Sequence, residues 1–307
     1  MNNLNALISE VQQLKCEELI TKQLELLDST PFLDIELSAS CNVDCIMCPR
    51  DKLKRSNPIM SEKLIEHLIN WIPKDAKVML AGLGEPLFNK YYYHFVSTLN
   101  KRGIETGLTT NGLFLTPDVI DKLIQADIRL IQVSFNGVSE SVYQNIMPGS
   151  CLSTVAKNLK YLAKTKANNL IVKLAVTLQD KNKNELPAIR KFADSLDFEV
   201  FVRNLHSRAE TTFQKGFLDL PNGCGIFSKV TFVASDGHIL SCCQDLGKQF
   251  ILGHILQDSF VDILTKKKRI VKNNDWFLNC SQCDDDYRYY LLCEDSYTSE
   301  GNKIALS

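Results

Sequence analysis

Residues 38–50 read SASCNVDCIMCPR. Cys41, Cys45 and Cys48 fall within eight residues, with no fourth cysteine nearby. A disulfide uses two thiols, and a closed structural zinc site uses four N or S ligands. Three thiolates suit a centre that keeps one position open. They can hold three irons of a four-iron cluster and leave the last for an exogenous ligand. Zinc completed by a ligand from elsewhere, or purely structural thiols, is the competing reading.

Outward from this loop the chain has a rhythm. Apolar runs at Phe32–Leu37, Lys77–Leu83, Glu105–Thr109, Leu130–Phe135, Ile171–Thr177 and Phe198–Val202 read as strands. Helix-period segments separate them, such as SEKLIEHLINWI, TPDVIDKLIQA and STVAKNLKYLAK. Each opens on Ser or Thr as a cap, and Pro117 suits a first helical turn. Strand–helix alternation predicts an α/β fold with parallel strands and right-handed crossovers. About six units are too few for a full eight-unit barrel, leaving an open barrel or a doubly wound sheet. Cysteines just after the first strand stand where barrels of this class carry their chemistry.

The bulk properties narrow the function classes. The chain has 307 residues, 45% hydrophobic and 23% charged, with a net charge of −1. Neither a nucleic-acid partner nor an anionic membrane surface is indicated. The basic run Lys266–Arg269 reads as a solvated helix end. No apolar run is long enough to span a bilayer. The start, MNNLNALISEVQQLKCEELI, has no secretory pattern and reads as an amphipathic helix. Eleven cysteines in a chain expected to be cytoplasmic point to metal or redox chemistry rather than disulfides.

Four further segments extend the pattern at the predicted strand ends: AGLGEP (81–86), TTNG (109–112), VSFNG (133–137) and MPGS (147–150). Together with CX3CX2C they resemble the radical S-adenosylmethionine (SAM) enzymes, over residues 31 to about 205. The resemblance implies a partial (β/α)6 TIM-like barrel. It also implies a [4Fe–4S] cluster on Cys41, Cys45 and Cys48 whose open iron is chelated by SAM. Gly84, Glu85 and Pro86 match the family's Gly-Gly-Glu-Pro segment, which borders the SAM amino group; Leu83 replaces its first glycine. Thr109 and Asn111 lie on a similar strand end. Ser134 and Asn136 are placed to reach the SAM ribose, Asn136 standing where Asp is usual. Met147 replaces the Arg of a common Arg-Pro-Gly stretch. In the implied mechanism, an electron from the cluster cleaves SAM to methionine and a 5′-deoxyadenosyl radical, which takes a hydrogen atom from substrate. Electron donors such as flavodoxin or ferredoxin are implied as partners.

The rhythm stops after Val202. A linker over 203–223 carries Arg203, His206 and Arg208, which are expected to grip or deprotonate substrate at the barrel mouth or, alternatively, to be exposed loop charges. A cysteine-rich tail follows. It contains a hairpin around Asp236-Gly237, a helix near Asp258–Arg269, and then CSQC. Cys224, Cys242, Cys280 and Cys283 suffice for a second cluster or a zinc site. The pattern CX12GX4C, the doublet Cys242-Cys243 and the late CX2C are similar to the SPASM or shorter twitch extension of radical SAM proteins. That implies an auxiliary [4Fe–4S] cluster on those four ligands. The spacing most resembles that of 2-deoxy-scyllo-inosamine dehydrogenase. The expected organisation is an N-terminal helical extension (1–30), a radical SAM core (31–205) and an auxiliary-cluster domain (206–307).

Of the remaining cysteines, Cys16, Cys151, Cys243 and Cys293 read first as small buried hydrophobes. Cys243, and after it Cys293, are candidate hydrogen-atom donors if the reaction is an epimerisation. The expected activity is oxidation of a secondary alcohol in a small sugar, cyclitol or aminoglycoside-like molecule. The alternatives are radical epimerisation of a similar substrate, modification of a ribosomal peptide, and a non-catalytic zinc or iron–sulfur protein. Against the peptide reading, only about 30 residues precede the barrel, short of a winged-helix recognition domain.

Overall fold

The computed structural model describes residues 2–53, 58–207 and 223–293, with side chains from residue 8 onward. Two helices open the chain, α1 (Asn2–Gln13) and α2 (Cys16–Asp28). Strands β1 (Phe32–Ile35), β2 (Lys77–Leu80), β3 (Glu105–Thr110), β4 (Leu130–Ser134), β5 (Ile171–Leu178) and β6 (Glu199–Asn204) follow. Their crossovers carry α3 (Glu62–Trp71), α4 (Tyr92–Lys101), α5 (Pro117–Gln125), the pair α6 (Glu140–Ile146) and α7 (Leu152–Thr165), and α8 (Leu186–Asp194).

All six strands are parallel and lie in chain order, from β6 at one edge to β1. A doubly wound sheet would reverse its order at a switch point. Sequential order is the signature of a barrel, here a partial one. Side chains from every strand face one interior cavity: Asp34, Met79, Thr109, Gln132, Ala175 and Phe201. The opposite faces, with Leu33, Ile35, Leu80, Leu108, Ile131 and Leu174 wholly buried, pack on the helices. That division follows from the two-residue period of a strand.

Helix starts follow the sequence in two of the three segments singled out. Ser61 and Thr116 accept hydrogen bonds from the Leu64 and Val119 amides, capping α3 and α5. The third differs: α7 begins at Leu152, with Cys151 rather than Ser153 in the cap position and its thiol 3.2 Å from the Thr154 hydroxyl.

The tail is joined to the barrel. After α9 (Gly225–Lys229), β7 (Val230–Val233) pairs in parallel with β1, beyond the edge where the barrel strands end. β8 (His238–Leu240) and β9 (Ile251–His254) continue antiparallel, with Asp236-Gly237 turning the predicted hairpin. α10 (Phe260–Asn273) and α11 (Tyr287–Tyr290) complete the described chain.

Two readings of side chains need correction. Lys267, taken as part of a solvated run, is buried; its ammonium donates to the Val230 carbonyl at 3.0 Å and lies over the Phe227 ring. Burial pulls it down to about 7. Cys16 is exposed at the start of α2, not a buried hydrophobe. No described helix is long and apolar enough to cross a membrane.

Candidate active site

The three-cysteine loop follows β1 and is held from three sides. The Asp44 and Ile46 amides donate to the carbonyls of Pro148 and Ile146, at 2.8 and 3.0 Å. MPGS is therefore a backbone brace for the loop. Gly149 adopts φ +85, and a side chain there would meet the Asn42 carbonyl at 3.1 Å. Arg50, just behind the loop, donates to the carbonyls of Cys41 and Val43 and pairs with Asp44. Just after β3, the Asn111 side-chain Nδ2 donates to Asn42 Oδ1 at 2.7 Å and lies 3.7 Å from Cys41 Sγ. Burial, then the neighbouring Cys48 and Cys41, push the Cys45 thiol up to about 12. Such a thiol gives up its proton to a metal rather than to water.

AGLGEP closes the loop from the β2 end. The Glu85 amide donates to the Ser40 carbonyl at 2.8 Å. A Cβ on Gly84 would stand 2.4 Å from both Ala39 C and Ser40 O, main-chain atoms that cannot swing aside. Gly84→Ala is therefore expected to lower the unfolding free energy by about 1–3 kcal/mol, the range of an overpacked interior, measured by denaturant titration of the metal-loaded protein. Glu85 is buried and ties two strand ends together. It accepts from the Thr110 hydroxyl and the Asn111 amide, both at 2.8 Å. Burial lifts it to about 7 against those hydrogen bonds.

The interior cavity has a volume of about 340 Å³. Thr109 and Ser134 line it, as does Cys48; Asn111, Glu85 and Asn136 do not. Asn136 spends its carbonyl on the Thr177 amide at 2.8 Å, and its NH2 lies 3.3 Å from Met147 Sδ. Arg203 and His206 are cavity groups rather than exposed loop charges. Arg203 donates to both Asp285 carboxylate oxygens at 2.7–2.8 Å and stacks over Tyr287. Arg208 lies outside the described residues.

Cys224, Cys242, Cys280 and Cys283 line a second, small cavity together. Cys224 caps α9, and a short 3-10 turn (Leu278–Gln282) carries Cys280. Arg288 binds the segments from below. Its guanidinium donates to the Gly223, Cys280 and Cys283 carbonyls, at 3.1, 2.8 and 3.4 Å. Cys243 lines both cavities. Cys293 lines neither and packs with Val11, Leu19 and Tyr289. Among the described residues no three His, Cys, Asp or Glu side chains converge on a single metal ion. A four-iron cluster does not require that, because each thiolate binds a different iron. Two half-buried cysteine sets, with neighbouring carbonyls held by Arg50 and Arg288, fit two such clusters.

Several residues that hold the site's elements together are not singled out by the sequence patterns. Glu36 accepts from the Leu83 and Ser235 amides and so joins β1, the β2 end and the tail. Asp284, Asp285 and Asp286, directly after Cys283, hold Ser207, Arg203 and Asn204 of the barrel rim. A run of three acids directly after Cys283 was the available signal.

The fold, the three-cysteine loop and the second cysteine set are the features that the comparisons match. Residues 35–193 match the Radical SAM superfamily and residues 224–284 an iron-sulfur cluster-binding domain of the SPASM type. This chain belongs to the radical SAM superfamily: it is a radical SAM enzyme with a SPASM-like domain, using SAM and iron–sulfur clusters as cofactors. It is 20% identical to the tungsten-containing aldehyde ferredoxin oxidoreductase cofactor-modifying protein of Pyrococcus furiosus, across 82% of this chain and 86% of that protein. In structure it resembles SuiB of Streptococcus suis bound to precursor peptide SuiA (TM-score 0.66, 14% identity, 94% of this chain and 78% of that one). It also resembles BtrN in complex with AdoMet and 2-DOIA (TM-score 0.56, 17% identity, 84% and 94%). At these identities the structural likenesses speak to fold alone. Membership of the radical SAM superfamily sets aside the reading as a non-catalytic zinc or iron–sulfur protein.

Proposed function

We propose that this enzyme oxidises a secondary alcohol of a small polyhydroxylated molecule, of sugar, cyclitol or aminoglycoside type. In this reading Cys41, Cys45 and Cys48 hold the SAM-binding cluster, and Cys224, Cys242, Cys280 and Cys283 the auxiliary one. The observation that carries it is Cys243, a wall of both the barrel cavity and the four-cysteine cavity. With SAM bound, the clusters supply hydrogen-atom abstraction and an acceptor for the electron left on the substrate.

The chain's own residues do the rest. Thr109 and Ser134 offer hydroxyls at the strand ends, where SAM and substrate must meet. Arg203 and His206 offer polar contacts at the rim, with Arg203 fixed by Asp285. Met47, Leu83 and Leu246 give the cavity an apolar wall, which disfavours water beside a radical. A 340 Å³ space is on the scale of small-molecule sites. The complex of BtrN with 2-DOIA lends support by analogy of fold.

Epimerisation is the second reading, and the same residue favours it. A thiol on the cavity wall is a good hydrogen-atom donor to a carbon radical. The two separate by product mass in deuterated water. Oxidation removes two hydrogens; epimerisation keeps the atom count and takes up one deuterium. Cys243→Ala is expected to leave oxidation intact. Loss of turnover in that variant, with solvent deuterium in the wild-type product, would replace oxidation by epimerisation.

A further inference from the structure

Asp34 is a carboxylate in the barrel interior that nothing described so far uses. It lies in the middle of β1 with Phe32 and Glu36 on the same strand face, all three lining the cavity. Its partners in register are Met79 of β2 and Phe232 of β7, and both line the cavity too. The other interior acids are engaged: Glu36 holds two amides, Glu85 holds Thr110 and Asn111, and Asp285 holds Arg203. Among the described residues no hydrogen bond or ion pair reaches the Asp34 carboxylate; only the more distant charge of Arg203 acts on it.

A carboxylate among Phe32, Met79 and Phe232 is expensive to bury unless something donates to it. Asp34 lines the cavity, so a ligand held there can donate to it. Burial also pushes the group up to about 7, against the pull of Arg203. A base that takes a proton near neutral pH needs that range.

We propose that Asp34 is the proton acceptor of the reaction, its carboxylate hydrogen-bonded to the hydroxyl of the alcohol being oxidised. This rests on the alcohol-oxidation reading. The carbinol C–H breaks homolytically, and its hydrogen atom goes to the 5′-deoxyadenosyl radical to give 5′-deoxyadenosine. The O–H proton goes to Asp34. The remaining electron leaves to an oxidised iron–sulfur centre, and the C–O bond becomes C=O. Substrates of this enzyme accordingly carry a free hydroxyl on the oxidised carbon; an ether at that position cannot be processed.

The test uses reduced, cluster-loaded full-length enzyme with SAM and two probes deuterated at their carbinol carbons, 2-deoxy-scyllo-inosamine and myo-inositol. Ketone and deuterium in 5′-deoxyadenosine are measured in the same samples. Wild type is expected to give both from at least one probe. In Asp34→Asn deuterium still reaches 5′-deoxyadenosine, while ketone falls by about 10²–10⁴-fold, the usual worth of a positioned base. Asp34→Glu restores part of the ketone. That ratio separates proton acceptance from a structural role, which would lower both products together. Unchanged ketone in Asp34→Asn overturns the proposal and leaves the oxidation reading standing, as does equal loss of both products. Absence of ketone from both probes with wild type overturns the oxidation reading and the role of Asp34 with it.

Discussion

Replacing Cys41, Cys45 and Cys48 together by alanine is expected to abolish SAM cleavage and to lower iron from about eight to about four atoms per chain. The two cysteine sets are separate sites. One lies in the loop after β1, braced by Pro148, Ile146, Arg50 and Asn111. The other lines its own cavity in the tail. None of the loop's braces runs through Cys224, Cys242, Cys280 or Cys283, so the tail should keep its irons. Iron analysis and quantitation of 5′-deoxyadenosine check both halves. Residual SAM cleavage in the triple variant would remove the loop from the chemistry.

Arg288→Met is expected to do the reverse, removing the auxiliary irons while SAM cleavage persists. One guanidinium holds the Gly223, Cys280 and Cys283 carbonyls, joining the two chain segments that bring Cys224 to the CX2C pair. It is also a buried positive charge that acts on Cys224, Cys280 and Cys283. Methionine fills the volume but leaves three carbonyls without their donor and the thiolates without their counter-charge. The expected cost is about 3–5 kcal/mol of tail stability, the scale for breaking a buried charged network. Arg288→Lys keeps the charge and loses the fork, so partial iron retention is expected. Iron content and the unfolding midpoint are the measurements. Full iron in Arg288→Met would show that the thiolates alone organise the site.

Local signals carried most of the fold into the sequence. Six strands stand where alternation and turn residues put them, and Ser61 and Thr116 cap the helices they precede. The three-cysteine loop is legible for the same reason, since it lies within eight residues of chain. What stayed hidden depends on distant partners. Arg203 meets Asp285 across 82 residues and Arg288 meets Gly223 across 65. No spacing rule reports such a pair. Asp34 is one of two acids in FLDIEL until the pairing of β1 with β2 and β7 fixes which face is interior. Lys267 was hidden by its own neighbours, three other cations on the same helix turn. Cys293 is the small buried hydrophobe of its first reading; that its segment turns back onto α1 and α2, away from both cavities, is not a local property of the chain.

The most direct test is metal content of anaerobically prepared wild-type protein, with electron paramagnetic resonance of the reduced protein before and after adding SAM. Two four-iron clusters, one with an open iron, predict about eight irons per chain, little zinc, and a spectrum in which one cluster's signal shifts with SAM while the other's does not. Zinc with about four irons would leave the radical enzyme but remove its electron acceptor, and oxidation of an alcohol with it. A spectrum indifferent to SAM would contradict the open-iron assignment of Cys41, Cys45 and Cys48 itself.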